Sequence, residues 1–264
     1  FFRNNPKCLT KINDSTLIEF QIEVLHKCGI KKINVVRGYE KEKINIPGIT
    51  YYENPDFKKT KNLYSLFCAE DELNSEVLVL YSDIIYNEEV VNRFIDATTN
   101  FSLGIILNWK DHNSHRPNIN VEDLELVNFD PESKIVEIGK GKADLSYTTG
   151  QYIGISKISK KGCEILKNNY RFFSSLNISA KNVTDKTYKD AWLTDFYQFI
   201  STLGVNLNCV LIEEGWMEIS CKEDYEKILL NKKLIQGIKI IRTDWDERAK
   251  LYNNLEWVNN SNLL

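Results

Sequence analysis

The sequence predicts an α/β fold built on a Rossmann-like, doubly wound mixed sheet. Predicted strands and helices alternate through the first half of the chain at ~25–30 residues per unit, as in parallel sheets with helical crossovers. Val77–Leu80 reads VLVL, an unbroken apolar run that is typical of a strand covered by helices on both faces. Tyr81, Ser82 and Asp83 follow this run directly. An acid at the carboxyl end of such a strand lies where open α/β sheets bind their ligands.

The first half of the chain supplies the alternating elements. Leu17–Lys27 carries apolar residues at helical spacing, with Ser15 before it as a candidate N-cap and Gly29 after it at a C-terminal cap position. The other helical predictions are Leu63–Glu70 and Glu88–Thr98, with a polar turn or helix at Glu40–Ile44. The predicted strands are Ile33–Val36, Ile49–Tyr52, Val77–Leu80 and Ser102–Leu107.

The second half is less regular and favours antiparallel pairing. Leu124–Phe129 and Lys134–Ile138 read as two strands around an Asp130-Pro131 turn. The remaining predicted strands are Tyr152–Ile158 and Asn206–Ile212, and the remaining predicted helices are Lys160–Asn168, Trp192–Leu203 and Asp224–Leu230. The sheet is therefore expected to be parallel first and antiparallel later.

The two ends of the chain differ in character from the rest. We assign residues 1–230 to one domain, and residues 231–264 to a linker and the possible start of another unit. Gly237–Ile241 would suit a linker strand, and Thr243–Leu264 contains two tryptophans and five asparagines. An amphipathic terminal helix that packs back on the domain fits this tail equally well. The chain opens with FFRNNPK and without an initiator Met, which predicts an incomplete N-terminus.

Composition excludes several classes of protein. The net charge of −3 gives no reason to expect nucleic-acid binding, which needs a basic face. No apolar run reaches ~18 residues, so no membrane span is predicted, and the N-terminus has no signal-peptide pattern. The six cysteines lie far apart without a CxxC pair, which favours reduced thiols and a cytoplasmic location. His112 and His115 lie in a polar loop, DHNSHRPN, and are expected at the surface rather than on zinc.

Asp83 is the first candidate functional residue. Burying a lone carboxylate costs several kcal/mol unless a partner compensates for it. A divalent cation that carries a phosphate is one such partner, so the position predicts a metal ligand. A strand-end aspartate that caps the following helix fits the spacing equally well.

A series of short motifs points to a family. Near the N-terminus these are Pro6–Leu9, Leu17–Gln21 and Val35–Tyr39, and a narrower set consists of Tyr52–Pro55, Asn62–Leu66, Tyr81–Ile84, Gln151–Gly154 and Gly215–Ile219. In this order, the motifs resemble the nucleotidyltransferases of the sugar-phosphate and phosphocholine type, and in particular their cytidylyltransferase branch. That branch acts on phosphocholine, aminoethylphosphonate or phosphoglutamine.

The resemblance implies a fold, a reaction and a set of site residues. The fold would be of the nucleotide-diphospho-sugar transferase type. A phosphate or phosphonate oxygen of a small acceptor would attack the α-phosphorus of CTP and release pyrophosphate, with Mg²⁺ as cofactor. Lys7 and Asp83 would be catalytic, and Asp83 and Glu218 would hold the metal. Residues implied at the nucleotide are Lys7, Gln21, Arg37, Gly38, Asn62, Ser65, Tyr81 and Ser82, and those implied at the acceptor are Lys140, Tyr152, Trp192, Asp195 and Trp216.

Several of these residues have a structural alternative. Lys7 could be a solvated loop residue and Gln21 a packed helix-side amide. Asn62, Ser65 and Asp195 could be ordinary helix-capping residues.

Two departures from the family pattern stand out. Family members begin with a strand and a glycine-rich loop whose amides hold the nucleotide phosphates, and only the end of that loop, through Pro6-Lys7, is present. The family also places an Asp after the Glu-Ile of its Trp-x-Glu-Ile motif, where this chain has Ser220. Either Glu218 replaces that ligand, or the metal keeps more waters, or the site is impaired.

Other readings remain open. A sugar-1-phosphate nucleotidyltransferase is the nearest alternative. A glycosyltransferase with a similar sheet would favour Asp-x-Asp after the central strand, where this chain has Ser82-Asp83-Ile84. A degenerate nucleotide-binding module would accommodate both departures. The tail, through Trp245–Ala249, Tyr252 and Glu256–Asn259, resembles the beginning of a class I S-adenosylmethionine-dependent methyltransferase, which implies a fused partner domain.

Overall fold

The computed structural model describes residues 5–116, 119–141, 150–176 and 186–230, together with the backbone of residues 262–263. Its strands are β1 (Lys11–Ile12), β2 (Ser15–Thr16), β3 (Lys32–Arg37), β4 (Thr50–Glu53), β5 (Val77–Leu80), β6 (Ile84–Tyr86), β7 (Phe101–Ile106), β8 (Glu125–Phe129), β9 (Ile135–Lys140), β10 (Gly150–Ile158), β11 (Asn208–Ile212), β12 (Trp216–Glu218) and β13 (Asn262–Leu263). Its helices are α1 (Leu17–Lys27), α2 (Asn62–Phe67), α3 (Glu88–Ile95), α4 (Trp109–Asn113), α5 (Lys160–Ser175), α6 (Leu193–Thr202) and α7 (Lys222–Leu230). No helix within these ranges is long and apolar enough to cross a membrane.

The main sheet is mixed, as the sequence predicts. Its strand order is β11-β7-β10-β5-β13-β3-β4, and β8 and β9 extend it from β10. The β3–β4 and β7–β11 pairs are parallel, whereas β10 runs antiparallel to β5, β7 and β8. The two-residue strand β13 lies between β3 and β5 and is parallel to both. The rest of the predicted tail and linker, residues 231–261, lies outside the described residues.

Helices cover both faces of the sheet. Along β5, Val77 and Val79 belong to one apolar cluster and Leu78 to the other, so successive side chains are buried on opposite faces. Helices α1 and α3 contribute to the cluster that contains Leu78, and α2, α5 and α6 to the cluster that contains Val77 and Val79. The doubly wound prediction made from the VLVL run is confirmed.

One helix cap and several helix ends differ from the prediction, and α1 and α5 are examples. The N-cap of α1 is Thr16 rather than Ser15, because Thr16 Oγ1 accepts from the Glu19 amide while the Glu19 carboxylate accepts from the Thr16 amide at 2.7 Å. Helix α5 continues to Ser175, past the predicted end at Asn168. Its last turns are stabilised by tertiary contacts, since Phe173 is buried with its ring centroid 4.8 Å from that of Phe199.

A second, two-stranded sheet carries the loop that follows the central strand. Strand β12 pairs antiparallel with β6, and Glu218 lies opposite Ile84. The Ile219 amide also donates to the carbonyl of Asp83 at 2.8 Å. Backbone pairing therefore brings residues around Glu218 next to Asp83, although more than 100 positions separate them in the sequence.

Candidate active site

Asp83 lies at the predicted place, after β5 and before β6. Lys7 Nζ donates to its Oδ2 at 3.0 Å, and the two side chains are 39% and 23% exposed, respectively. The capping alternative for Asp83 is wrong, because the side chain of Asn87 caps the following helix α3 by accepting from the Val90 amide at 3.1 Å. A lysine and an aspartate in contact at the edge of the sheet are suited to binding a charged ligand.

Glu218 is a second carboxylate beside this pair. Ser220 Oγ donates to Glu218 Oε1 at 2.6 Å, and the Arg116 guanidinium approaches Glu218 Oε2 at 3.5 Å. Ser220, which replaces the aspartate of the family pattern, thus holds the neighbouring Glu218 instead of offering a carboxylate of its own.

The site opens into a large cavity of about 660 Å³. Charged side chains line it at several points, and these include Lys7, Asp83, Arg116, Lys140 and Glu218. A smaller cavity of about 410 Å³ adjoins it and shares Lys7 and Ser82. The combined space, with Lys7 at the junction, is large enough for a nucleotide and a small second substrate.

The side chain of Gln21 forms hydrogen bonds with the loop that carries Asp83. Its Nε2 donates to the carbonyls of Tyr81 and Ile84 at 3.0 and 2.6 Å, on either side of Ser82-Asp83. Both amide hydrogens are therefore used within the protein, which favours the packed-amide alternative over base recognition.

We expect Gln21→Met to lower the free energy of unfolding by about 1–3 kcal/mol, because two carbonyls next to Asp83 lose their donor. Thermal unfolding checks this loss. In the reaction that the family resemblance implies, turnover with CTP and with UTP should fall by the same factor. A changed CTP-to-UTP ratio at unchanged thermal stability would instead assign Gln21 to the base.

The other residues predicted at the nucleotide divide into two groups. Arg37 donates to the carbonyls of Lys41 and Ile44 and lies 4.2 Å over the Tyr51 ring, and with Gly38 it borders the smaller cavity. Its guanidinium is thus largely committed to the turn after β3.

Helix α2 supplies the second group. Asn62 Oδ1 accepts from the Leu193 amide at 2.8 Å, and Ser65 Oγ accepts from Asn54 at 3.0 Å. Asn62, Ser65 and Tyr81 all border the larger cavity, so their contacts within the protein coexist with access to a ligand.

The residues predicted at the acceptor lie in different surroundings. Lys140 and Trp192 lie together on the larger cavity, with Lys140 Nζ 4.2 Å from the ring centroid of Trp192. Tyr152 is buried, and its hydroxyl is bonded to Ser156. Asp195 caps α6, because its carboxylate accepts from the Trp192 amide at 2.8 Å and pairs with Lys186 at 2.7 Å. The capping alternative therefore describes Asp195 best.

The prediction of surface histidines is wrong. His112 is partly buried and stacks on Trp216 with ring centroids 5.0 Å apart, and burial lowers the pKa of its imidazole to about 4. His115 Nε2 is 2.7 Å from Asp224 Oδ1. Helix α4 and the turn after it fold this polar stretch onto β12 and α7, which a loop interpretation did not foresee.

Glu125 is a site residue that the sequence did not reveal. It lies on β8 at the larger cavity and accepts from Thr194 Oγ1 at 2.7 Å and from Tyr81 at 3.4 Å. Burial raises the pKa of its carboxyl to about 7, while the Thr194 hydrogen bond and the nearby Lys140 oppose the rise.

This raised pKa predicts a pH-dependent stability. The wild-type protein should lose stability as the pH rises from about 4.5 to 7, because over this range the unfolded chain releases the Glu125 proton while the folded protein still holds it. Glu125→Gln cannot ionise, so at pH 8.5 it should be about 1–3 kcal/mol more stable than wild type, with no difference at pH 4. Thermal unfolding at several pH values, with the exposed Glu122→Gln as control, measures the difference. An equal difference at both pH values would contradict the assignment.

The carboxylates fit a hard divalent cation. Among the described residues, no three His, Cys, Asp or Glu side chains come together as a closed metal centre. Asp83 and Glu218 nevertheless border one cavity as two oxygen donors. Magnesium is commonly held by one or two carboxylates and completes its shell with substrate phosphates and waters, so this donor set suits it.

Comparison with known proteins shows what the chain is similar to. Residues 2–120 match the family model of the MobA-like NTP transferase domain. Residues 2–120 thus resemble a nucleotidyltransferase domain. The predicted family resemblance is thereby confirmed, and proteins of this family generally use a divalent metal. The resemblance to a methyltransferase in the tail stays a prediction.

Three similar proteins align with different lengths of this chain. A CTP:phosphoglutamine cytidylyltransferase of Campylobacter jejuni is 27% identical over 235 residues, which are 85% of this chain and 91% of that protein. A choline-phosphate cytidylyltransferase of Streptococcus pneumoniae is 34% identical over 99 residues, 36% of this chain and 43% of that protein. The solved inositol-1-phosphate CTP transferase of T. maritima superposes with a TM-score of 0.65 at 18% identity, covering 88% of this chain and 89% of that one, and so confirms the predicted fold class.

Proposed function

We propose that this protein is a cytidylyltransferase that couples CTP to a small phosphate or phosphonate acceptor and releases pyrophosphate. The observation that carries this proposal is the 3.0 Å contact between Lys7 and Asp83 at the edge of the sheet. It lies within the segment that matches the NTP transferase family. Two of the similar proteins are cytidylyltransferases, which supports CTP as the nucleotide.

The reaction needs two anions to approach each other, so catalysis consists mainly of charge neutralisation and alignment. Lys7 would bind the triphosphate from the junction of the two cavities. Asp83 and Glu218 would hold Mg²⁺, which supplies further neutralisation of the phosphates when bound. The acceptor is itself the nucleophile, and no side chain needs to form a covalent intermediate.

The acceptor would lie at the end of the larger cavity that Lys140 and Glu125 border. Two ammonium groups, those of Lys140 and Lys61, lie 4.2 and 4.9 Å from the ring centroid of Trp192. They make this end of the cavity attractive to an anionic group. All six cysteine thiols are free. We therefore place the reaction in the cytoplasm, where thiols stay reduced.

Pyrophosphate release by the intact protein tests the proposal. CTP, UTP and dTTP would each be combined with phosphocholine, 2-aminoethylphosphonate, phosphoglutamine and glucose 1-phosphate in the presence of Mg²⁺. We expect release with CTP and at least one of the first three acceptors. Preference for glucose 1-phosphate would identify a sugar-1-phosphate nucleotidyltransferase, and no release with any pair would contradict the proposed activity.

A further inference from the structure

Arg116 belongs to a buried ionic cluster beside the proposed metal ligands. Its Nε donates to Asp224 Oδ1 at 2.6 Å, and its side chain is only 10% exposed. The side chain of Asp224, in the first turn of α7, is fully buried. No sequence motif marks either residue as part of a site, because the two lie 108 positions apart.

Asp224 is saturated by partners within the protein. Oδ1 contacts Arg116 and His115 Nε2, and Oδ2 accepts from the amides of Ser220 and Cys221 at 2.8 and 3.0 Å. Burial disfavours its charge, but these contacts, with Arg116 foremost, hold the pKa of Asp224 below its usual value. Asp224 therefore fixes the guanidinium and has no lone pair left for a metal.

A terminal nitrogen of the Arg116 guanidinium is held less closely than its Nε. Its terminal nitrogen is 3.5 Å from Glu218 Oε2, which is longer than a normal charge-assisted hydrogen bond. Buried ion pairs of this kind often contribute little net stability, so their presence needs another reason. A guanidinium that is fixed through Nε and whose terminal nitrogen has only a long contact is suited to binding phosphate or phosphonate oxygens.

Arg116 borders the larger cavity and not the smaller one, toward which the nucleotide would extend. Lys7 borders both cavities, whereas Arg116 and Lys140 border the larger one and not the smaller one. The triphosphate, bound by Lys7 at the junction, would extend toward the smaller cavity. An acceptor that attacks in line must approach from the opposite side, and Arg116 and Glu218 border the larger cavity that is left for it.

We propose that Arg116, held in place by Asp224, binds the phosphate or phosphonate group of the acceptor. This inference rests on the proposed cytidylyltransferase function for its reaction, but the anion-binding role can be measured without turnover. The recognised chemistry is a tetrahedral oxyanion on a small organic molecule.

The test uses Arg116→Gln and the double variant Arg116→Gln/Asp224→Asn in the intact protein. The single variant leaves Asp224 buried without its cation and is expected to destabilise the fold. The double variant removes both charges and should regain stability. Arg171→Gln, an arginine that is 65% exposed on α5, is the matched control.

In the double variant, KM for the acceptor should rise about 10- to 100-fold, the loss expected for a charged hydrogen-bonding partner, while KM for CTP changes less than about threefold. Calorimetric titration with phosphocholine, 2-aminoethylphosphonate and inorganic phosphate should show a similar loss of affinity relative to wild type. Arg171→Gln should match wild type in every readout.

Several outcomes would overturn the inference. Wild-type acceptor KM and affinity in the double variant would mean that Arg116 only neutralises Asp224. A rise in KM for CTP alone would mean that Arg116 binds the nucleotide and not the acceptor. If wild type binds none of the three probes, no anion site exists here. Failure of the proposed function gives a different result. In that case no pyrophosphate is released, but anion binding still depends on Arg116.

Discussion

Asp83→Asn is expected to lower kcat at least ~10²-fold while the protein remains folded. Asparagine keeps the size of the side chain but removes the charge that would hold Mg²⁺ and that now pairs with Lys7. Because both side chains are partly exposed, the lost ion pair should change the free energy of unfolding by less than about 1 kcal/mol. Steady-state pyrophosphate release and thermal unfolding measure the two quantities separately.

Asp96→Asn is a suitable control for this change, because Asp96 is exposed at the C-terminal end of α3. It should retain wild-type kcat. Wild-type turnover in Asp83→Asn would remove the metal assignment, and a large loss of thermal stability would show that Asp83 is chiefly structural.

Lys7→Gln is expected to lower kcat/KM for CTP by roughly 10²-fold, since a cation that neutralises transferring phosphate charge is lost. Lys7 follows Pro6 in a 3-10 turn whose Cys8 is buried in the core, so its backbone position does not depend on the ammonium group. Acceptor KM should change much less. Saturation kinetics with each substrate varied in turn provide the measurement.

Lys11→Gln tests whether any nearby lysine has this effect, because Lys11 is exposed on β1. It should leave kcat/KM unchanged. The Lys7→Gln/Asp83→Asn double variant should lose less than the product of the single effects, since the two groups contact each other. Equal losses in Lys7→Gln and Lys11→Gln would reduce the role of Lys7 to general surface charge.

The alternating first half of the fold could be predicted because it depends on local pattern. Val77–Leu80 is apolar on both faces, and both faces are buried in the structure. The end of α5 could not be predicted, because Asn168 and Asn169 suggest a stop while Phe173 is held by packing on Phe199. A contact 26 positions away outweighs local propensity there.

The site was predictable to the extent that strand ends and motifs mark it. Asp83 follows from its place after a buried strand, and Lys7 and Glu218 from the family motifs. Arg116, Asp224 and Glu125 carry no such mark, because their environment is set by contacts between distant segments. For Gln21 and Asp195, motif or helix position suggested ligand contact, whereas in the structure their side chains satisfy backbone groups.

Binding of Mn²⁺ in the presence of a non-hydrolysable CTP analogue tests the central claim most directly, because it reports the metal–triphosphate complex without turnover. Electron paramagnetic resonance of the intact protein would follow free Mn²⁺ during titration. We expect wild type to bind the ion together with the analogue, and Asp83→Asn to bind it at least ~30-fold more weakly, a change of about 2 kcal/mol. Equal Mn²⁺ affinity in the two proteins would contradict the assignment of Asp83 and the mechanism built on it.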